Sequence, residues 1–299
     1  MFKKATPIII KALSPIHAGS GRELGIVDMP IQRESHSGVP KIEGSSIKGS
    51  LREWTRLKNE KDSKGTHDVN KLFGATDGNE QAGLIGFSDA KLLFYPIKAL
   101  QNIFAYVTCP YLLDRFLVEL EYIKNLTQVY DQLKKLLSNN LLQGQAIIAY
   151  SSQTIDDQKQ SIELDEYSFE VKKDLNDCHS LFRSLGLQPQ RSIAVLCDED
   201  FMEMISLCKE IITRNKIDHK TGTVAEGQLF TEEYLPAESI LYTLLLENGI
   251  ESDGSAVQNY VQEFACEQIC QIGGNSNIGK GIVKIQQIKG GENGEESKK

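Results

Sequence analysis

The chain lacks most of the features that would assign it a common chemistry at once. No apolar run approaches the roughly 18 residues that a membrane-spanning helix needs. The start, Met1 to Pro7 followed by only three isoleucines, is too short for the core of a secretory leader and has no small-residue cleavage site. A cytoplasmic protein with no membrane partner is therefore expected. Cysteine is sparse: six residues, at Cys109, Cys178, Cys197, Cys208, Cys266 and Cys270. Only the last two are close, and one wide pair without a second does not make a zinc site. Buried, reduced thiols are expected. No His-x-Glu or His-Glu-x-x-His motif occurs. The Gly273–Gly281 run fails the phosphate-loop pattern, because a glycine and not Ser or Thr follows Lys280. A dinucleotide fingerprint is excluded too, since strand-like residues follow the run.

Positive charge is also short, with a formal net charge of −8. Its distribution is uneven. Residues 1–60 hold ten Lys/Arg against six Asp/Glu, and the rest hold 23 against 35. A local basic excess suffices for a nucleic acid held in a defined channel, and acidic surface elsewhere limits stray contacts. With 40% hydrophobic and 25% charged residues the chain is globular in composition.

Several elements follow from patterning. Pro7 to Leu13 is rich in β-branched residues and reads as a buried strand. Ser14 to Gly44 carries five glycines and three prolines, a length without periodicity that marks a functional loop. A helix starts at Gly44-Ser45-Ser46, with either serine as cap and Ile47, Leu51 and Trp54 as its buried stripe. Residues 59–83 read as a polar loop. Strands are expected over Gly86–Tyr95, Gln145–Tyr150, Ser161–Val171, Ser192–Cys197 and Ser239–Leu246. Helices are expected over Tyr111–Ile123, Leu126–Leu137, Asp200–Arg214 and Ala256–Cys270, and a hairpin turn at Thr221-Gly222-Thr223. A strand over Ile282–Ile285 is followed by a tail, 289–299, without large apolar residues and expected to be disordered. Strands and helices alternate irregularly, which favours an α+β fold.

Four groups of residues could carry chemistry. The Gly44-Ser45-Ser46 start, with Lys48, Arg52 and Arg56 along one face, offers free amides, hydroxyls and positive charge to a phosphate backbone. By itself such a stripe is more often a solvated face. Gly273 and Gly274 let the backbone come close to a polyanion, with Lys280 nearby. In the long loop, His17, Asp28, Glu34 and His36 supply the ingredients of acid–base or metal-assisted phosphodiester cleavage. A lone loop aspartate is nevertheless more often a turn former. Thr231-Glu232-Glu233-Tyr234-Leu235-Pro236 places two carboxylates and a phenol after the hairpin.

In combination these blocks are recognisable. Ser14-Pro15-Ile16-His17-Ala18-Gly19-Ser20-Gly21, then Gly25 to Arg33, then Pro40 to Arg52 resemble the RAMP superfamily. Phe87-Ser88-Asp89-Ala90, the Thr221 to Pro236 stretch and the terminal glycine-rich loop narrow the likeness to the backbone (fourth) Cmr subunits of type III-B CRISPR effector complexes. The resemblance implies a ferredoxin-like (RRM-like) palm with helical finger insertions and a β-hairpin thumb near 210–235, in a single domain over 1–288. It implies a guide-RNA-binding backbone that stacks with copies of itself and with other Cmr-type subunits. Such a filament would cut complementary single-stranded target RNA at regular intervals, in antiviral defence. It further implies an endoribonuclease that uses divalent metal, Mg2+ being the expected ion. Asp28 matches the essential aspartate, as base or as metal ligand. His17, Glu232 and Tyr234 match supporting positions, and Ser45, Ser46, Lys48 and Arg52 the guide-binding helix start. Residues 115–190 match no motif. Three rivals remain at this stage: a non-cleaving backbone subunit, the type III-A equivalent, and a stand-alone endonuclease that matures guide RNA.

Overall fold

A computed structural model describes residues 2–22, 25, 27–61, 67–75, 82–100, 102–123, 126–137, 141–150, 161–176, 178–217, 222–249 and 254–288. The tail from 289, expected to be disordered, lies outside these. In chain order the elements are β1 (Phe2–Ala12), β2 (Lys41–Ile42), α1 (Gly44–Lys61), α2 (Val69–Phe73), β3 (Ile85–Phe87), β4 (Ala90–Lys98), β5 (Phe104–Thr108), α3 (Pro110–Glu121) and α4 (Thr127–Leu136). Then follow β6 (Gln145–Tyr150), β7 (Ser161–Leu164), β8 (Tyr167–Leu175), α5 (His179–Ser184), β9 (Ser192–Leu196) and α6 (Asp198–Leu207). The chain closes with β10 (Glu210–Ile217), β11 (Val224–Tyr234), β12 (Ile240–Asn248), α7 (Ser255–Gln262), β13 (Gln268–Gln271) and β14 (Ile282–Gln287).

Twelve of these strands form one mixed sheet in the order β13-β14-β1-β12-β4-β5-β9-β6-β8-β7, with β2 beside β4 and β3 beside β12. The expected α+β class is thus present. β1 is the centre of one half, paired antiparallel to both β12 and β14. It reads as a continuous apolar run because both its faces are covered: Ile8 and Ile10 enter one core cluster and Ile9 the other. α1 covers the first cluster with Ile47 and Leu51, while Trp54 donates its Nε1–H to the Ile269 carbonyl at 3.0 Å.

The stretch without motifs has its own logic. β7 returns to the end of β4, where Ala99 bridges Leu164 and the Asp165 N–H donates to the Lys98 carbonyl at 2.7 Å. The arc β4-β5-β9-β6-β8-β7 therefore closes on itself. Small residues on its inner side, Ala105, Ala146 and Ala194, leave room for Ile97, Leu164 and Phe169. The outer side packs against α3, α4 and α5 through Leu113, Phe116, Leu133 and Phe182.

Several readings of the sequence differ from the structure, the polar loop expected over 59–83 among them, since it holds α2. The helix expected over Asp200–Arg214 ends at Leu207, because Ile211, Ile212 and Thr213 are β-branched and pair with β11. Ser161–Val171 is not one strand but a hairpin that turns at Asp165, whose φ of 53° is left-handed. The last helix stops at Gln262, and Cys270 lies in β13. Cys266 and Cys270 therefore share no helix face: Cys266 is exposed, Cys270 buried. Finally, the Ser14–Gly44 loop is not surface throughout, since Ile16, Ala18, Ile31 and Val39 are core residues.

Candidate active site

β10 and β11 form a two-stranded hairpin apart from the main sheet. At its base, β11 collects three segments that are remote in sequence. Strand alternation sends the side chains of Thr231 and Glu233 to one side and those of Glu232 and Tyr234 to the other.

Asp28 is fastened on the first side. The Thr231 N–H and hydroxyl both donate to its Oδ2, at 2.8 and 2.9 Å, and the Asp28 N–H donates to the Thr231 hydroxyl at 3.0 Å. The backbone N–H of Thr231, then its hydroxyl, hold the Asp28 carboxyl below its ordinary value. The residue is exposed, and among the described residues its Oδ1 makes no hydrogen bond. The Glu233 N–H donates to the Met29 carbonyl at 3.0 Å, completing a short bridge beside Asp28.

His17 is half-buried, with its Nδ1 2.8 Å from the Glu233 carbonyl. A carbonyl only accepts, so Nδ1 carries the proton, and in the neutral ring Nε2 keeps its lone pair. The ring leans on Tyr234 at 5.5 Å. Gly19 gives Nε2 its room: a Cβ there would stand 2.8 Å from it.

Glu232 and Tyr234 are buried in a separate network on the other side. Glu232 Oε2 accepts from the Tyr234 hydroxyl at 2.5 Å, from Arg214 at 2.8 Å and from Asn275 Nδ2 at 3.1 Å. Burial would raise the Glu232 carboxyl, but these donors and the Arg214 charge outweigh it and hold it below its usual value. Burial first, and then Glu232, push the Tyr234 phenol up to about 12. Lys280 lies over the Tyr234 ring at 4.6 Å, with Glu210 3.8 Å from its Nζ. Gly273 has φ of 84°, and a Cβ there would strike the His17 carbonyl at 2.5 Å; the Gly274 N–H donates to that same oxygen at 2.8 Å. The glycine pair thus seats His17. The four acid–base candidates from the sequence fall into two groups, Asp28 on one side of β11 and His17, Glu232 and Tyr234 on the other.

The start of α1 differs from expectation in its cap. The cap is not a serine but Asp89, whose Oδ1 accepts the Gly44 N–H at 2.9 Å while Lys41 holds Oδ2 at 2.8 Å. Gly44 is required there, since a Cβ would lie 2.5 Å from the Phe87 carbonyl. Among the described residues the Ser45 and Ser46 hydroxyls have no partner. Of the basic stripe, Arg52 holds the Gly74 carbonyl and Asn70, at 2.8 and 2.9 Å. Arg56 is gripped by Glu53 and Glu60. Of the three, Lys48 alone makes neither an ion pair nor a side-chain hydrogen bond among the described residues, and burial followed by Arg52 lowers its pKa.

Thr231, Arg214 and Asn275 did not stand out in the sequence. Thr231 adjoined the Glu232–Tyr234 block, and the alternation along a strand was the available signal for its pairing with the opposite side.

Comparison with known proteins decides the family. The RAMP superfamily model matches residues 9–284. A CRISPR system Cmr endoribonuclease, Cmr4, of Pyrococcus furiosus is 34% identical over 94% of this chain and 95% of its own length. The chain belongs to the RAMP superfamily, in its Cmr4 family. A CMR subunit Cmr4 of Saccharolobus solfataricus is 28% identical over 94% of this chain and 96% of its own length. Among solved structures, a chain of the type III-B Cmr-β complex bound to cognate target RNA superposes with a TM-score of 0.80 at 26% identity, covering 96% of this chain and 98% of that one. An oligomeric Cmr4 from Pyrococcus furiosus gives 0.67 at 28% identity, covering 95% and 98%. The RAMP likeness drawn from the Ser14–Arg52 motifs is thereby established, as is the narrower likeness to Cmr backbone subunits.

Proposed function

We propose that the chain is the backbone subunit of a type III-B CRISPR ribonucleoprotein, which binds guide RNA in a filament of like subunits and cuts complementary RNA at regular intervals. Family membership supports this, as do the target RNA in the similar Cmr-β complex and the oligomeric state of a similar Cmr4. In this reading residues 1–288 form one RAMP domain working in the cytoplasm with other Cmr subunits. The sheet around β1 supplies a ferredoxin-like palm, the closed arc with α3–α5 an elaborated finger, and the β10–β11 hairpin the thumb.

The observation that carries the cleavage reading is an exposed carboxylate, Asp28, clipped to the base of the hairpin strand whose Glu233 carbonyl also holds His17. The reaction class is attack of a ribose 2′-hydroxyl, which gives up its proton, on the adjacent phosphate, forming a 2′,3′-cyclic phosphate as the bond to the 5′-oxygen of the next nucleotide breaks and that oxygen takes up a proton. It needs in-line geometry, which an unstacked nucleotide can adopt, and orientation of that kind is worth up to ~7–11 kcal/mol. A carboxylate held below its ordinary range is a weak base near neutral pH, so Asp28 is better suited to hold a cation beside the phosphate than to take the hydroxyl proton. His17 Nε2 is the group suited to accept the hydroxyl proton. Glu232 and Tyr234, with both polar ends engaged, hold the hairpin rather than touch RNA.

Among the described residues no cluster of three or more His, Cys, Asp or Glu side chains could hold a metal by itself. Mg2+ commonly takes one or two carboxylates and leaves the rest to water and phosphate. Asp28 Oδ1 fits that role as a single protein ligand beside RNA. A bound Mg2+ would neutralise charge developing on the phosphate.

The test is Asp28→Ala in the reconstituted guide RNA complex, with complementary labelled RNA and magnesium. Cleavage should be abolished while guide binding, assembly and target binding stay near wild type. Retained cleavage would remove Asp28 from the site, and lost target binding would make it architectural.

A further inference from the structure

Glu233 reaches both halves of the site and engages every polar group it owns. Its N–H donates to the Met29 carbonyl at 3.0 Å. Its carbonyl accepts the His17 Nδ1–H at 2.8 Å. Its carboxylate, with the side chain 4% exposed, accepts the Ile31 N–H at 3.2 Å through Oε2 and pairs with the Arg33 guanidinium through Oε1. Arg33 in turn donates to the Gly38 carbonyl at 2.9 Å. The limb that leaves Asp28 is thus tied to Glu233 at three of five residues, Met29, Ile31 and Arg33.

We propose that Glu233, paired with Arg33, is a positioning residue for the cleavage reaction, fixing the Asp28 limb in register with His17 on β11. This rests on the roles given above to Asp28 and His17. The physical case has two parts. Asp28 is attached through Thr231 at the exposed rim, where water competes for every bond. Glu233 is attached through an ion pair whose carboxylate is buried and whose guanidinium is partly so, where water competes less. The second attachment therefore decides where the first one sits. The backbone carbonyl of Glu233 also sets the tautomer of His17, so a shift of the strand at this residue would move both reacting groups together. Glu232 next to it faces the opposite side and serves Arg214 and Asn275 instead. Neighbouring carboxylates therefore have distinct duties, one for the hairpin and one for the loop.

The experiment uses the full chain in the reconstituted guide RNA complex. Single-turnover cleavage, target RNA affinity and thermal midpoint are measured for Glu233→Gln, Arg33→Met, Arg33→Lys and the Glu233→Gln/Arg33→Met double variant, with Asp28→Ala beside them. Gln keeps an acceptor for the Ile31 N–H and replaces the charged acceptor facing Arg33 with an amide NH2. Each of Glu233→Gln and Arg33→Met should slow cleavage by about 10–100-fold, the scale of a displacement near 1 Å at a reacting centre. Target affinity should stay near wild type. The double variant should be no slower than the slower single, because both remove one tether. Arg33→Lys should recover most of the rate lost in Arg33→Met. An inactive Asp28→Ala beside unchanged rates in Glu233→Gln and Arg33→Met overturns the positioning role alone. So does a parallel fall of rate, affinity and thermal midpoint. Undiminished cleavage by Asp28→Ala overturns the site itself, and the positioning role with it.

Discussion

At the base of the hairpin, groups up to 216 positions apart in sequence meet across β11, whereas on α1 Arg56 is held by Glu53 and Glu60 of its own helix and only Lys58 reaches a distant carboxylate, Glu263, among the described residues. Both regions looked alike as sequence: polar residues at suggestive spacing near a glycine-rich start. The hairpin base is a set of internal networks that leave Asp28 Oδ1 and His17 Nε2 without a hydrogen bond among the described residues. On the α1 face Arg56 is held within its own helix and Lys58 by Glu263, while Lys48 makes no ion pair or side-chain hydrogen bond among the described residues. Availability for RNA is thus a property of what remains after internal partners are served, and charge spacing does not report it.

The sharpest way to break this contrast is at Glu232. Glu232→Ala removes one acceptor shared by three donors and leaves the buried Tyr234 hydroxyl and Arg214 without it. A loss of about 1–3 kcal/mol in denaturant unfolding is expected, with cleavage reduced less than by Asp28→Ala. A stable Glu232→Ala would mean that the hairpin does not need its network. The same group sets a pH limit. Its folded pKa lies below the ordinary 4.5, so its stabilisation is complete above that value and is lost as pH falls through the folded pKa. The thermal midpoint of the wild type should drop as pH goes below 4.5, and Glu232→Gln should flatten that drop.

Gly19→Ala probes the open side of His17. The new methyl meets only the far edge of the ring, so stability should barely change. The displaced ring should slow cleavage by about 10-fold; an unaltered rate would free His17 from its role.

The smallest effects belong to α1. Lys48→Ala should weaken guide RNA binding modestly and lower the salt slope by about one, the signature of one phosphate contact. Arg56→Ala, with its charge already spent on Glu53 and Glu60, should change neither. Replacing Lys48 and Arg52 together is a poorer test, because Arg52 also holds the end of α2. Equal effects at Lys48 and Arg56 would erase the distinction between open and satisfied charges.

Much of the fold was legible where patterns are local. Gln145–Tyr150, the α3 and α4 helices and the α1 stripe followed from periodicity and β-branching alone. The 210–214 segment was misread because its residues sit at the end of a helical pattern, and only pairing with β11 makes them strand. The closed arc was invisible, since nothing in β7 or β4 by itself announces that Ala99 and Leu164 will meet. Asp28 and His17 could be singled out because motif order carried them. Their separation onto two sides of one strand could not, and neither could the divided duties of Glu232 and Glu233.

The sequence by itself determined the family, the class of the fold, the location of most helices and strands and the residue types brought to the site. These are properties of short windows and motif order, and they survive without knowing what touches what. The tertiary structure alone decided which charges stay available, which glycine is a hinge of close approach and which carboxylate faces which segment. Those outcomes depend on burial and on partners up to 216 positions away, as between His17 and Glu233. A buried polar group must be satisfied by whichever segment the fold delivers to it.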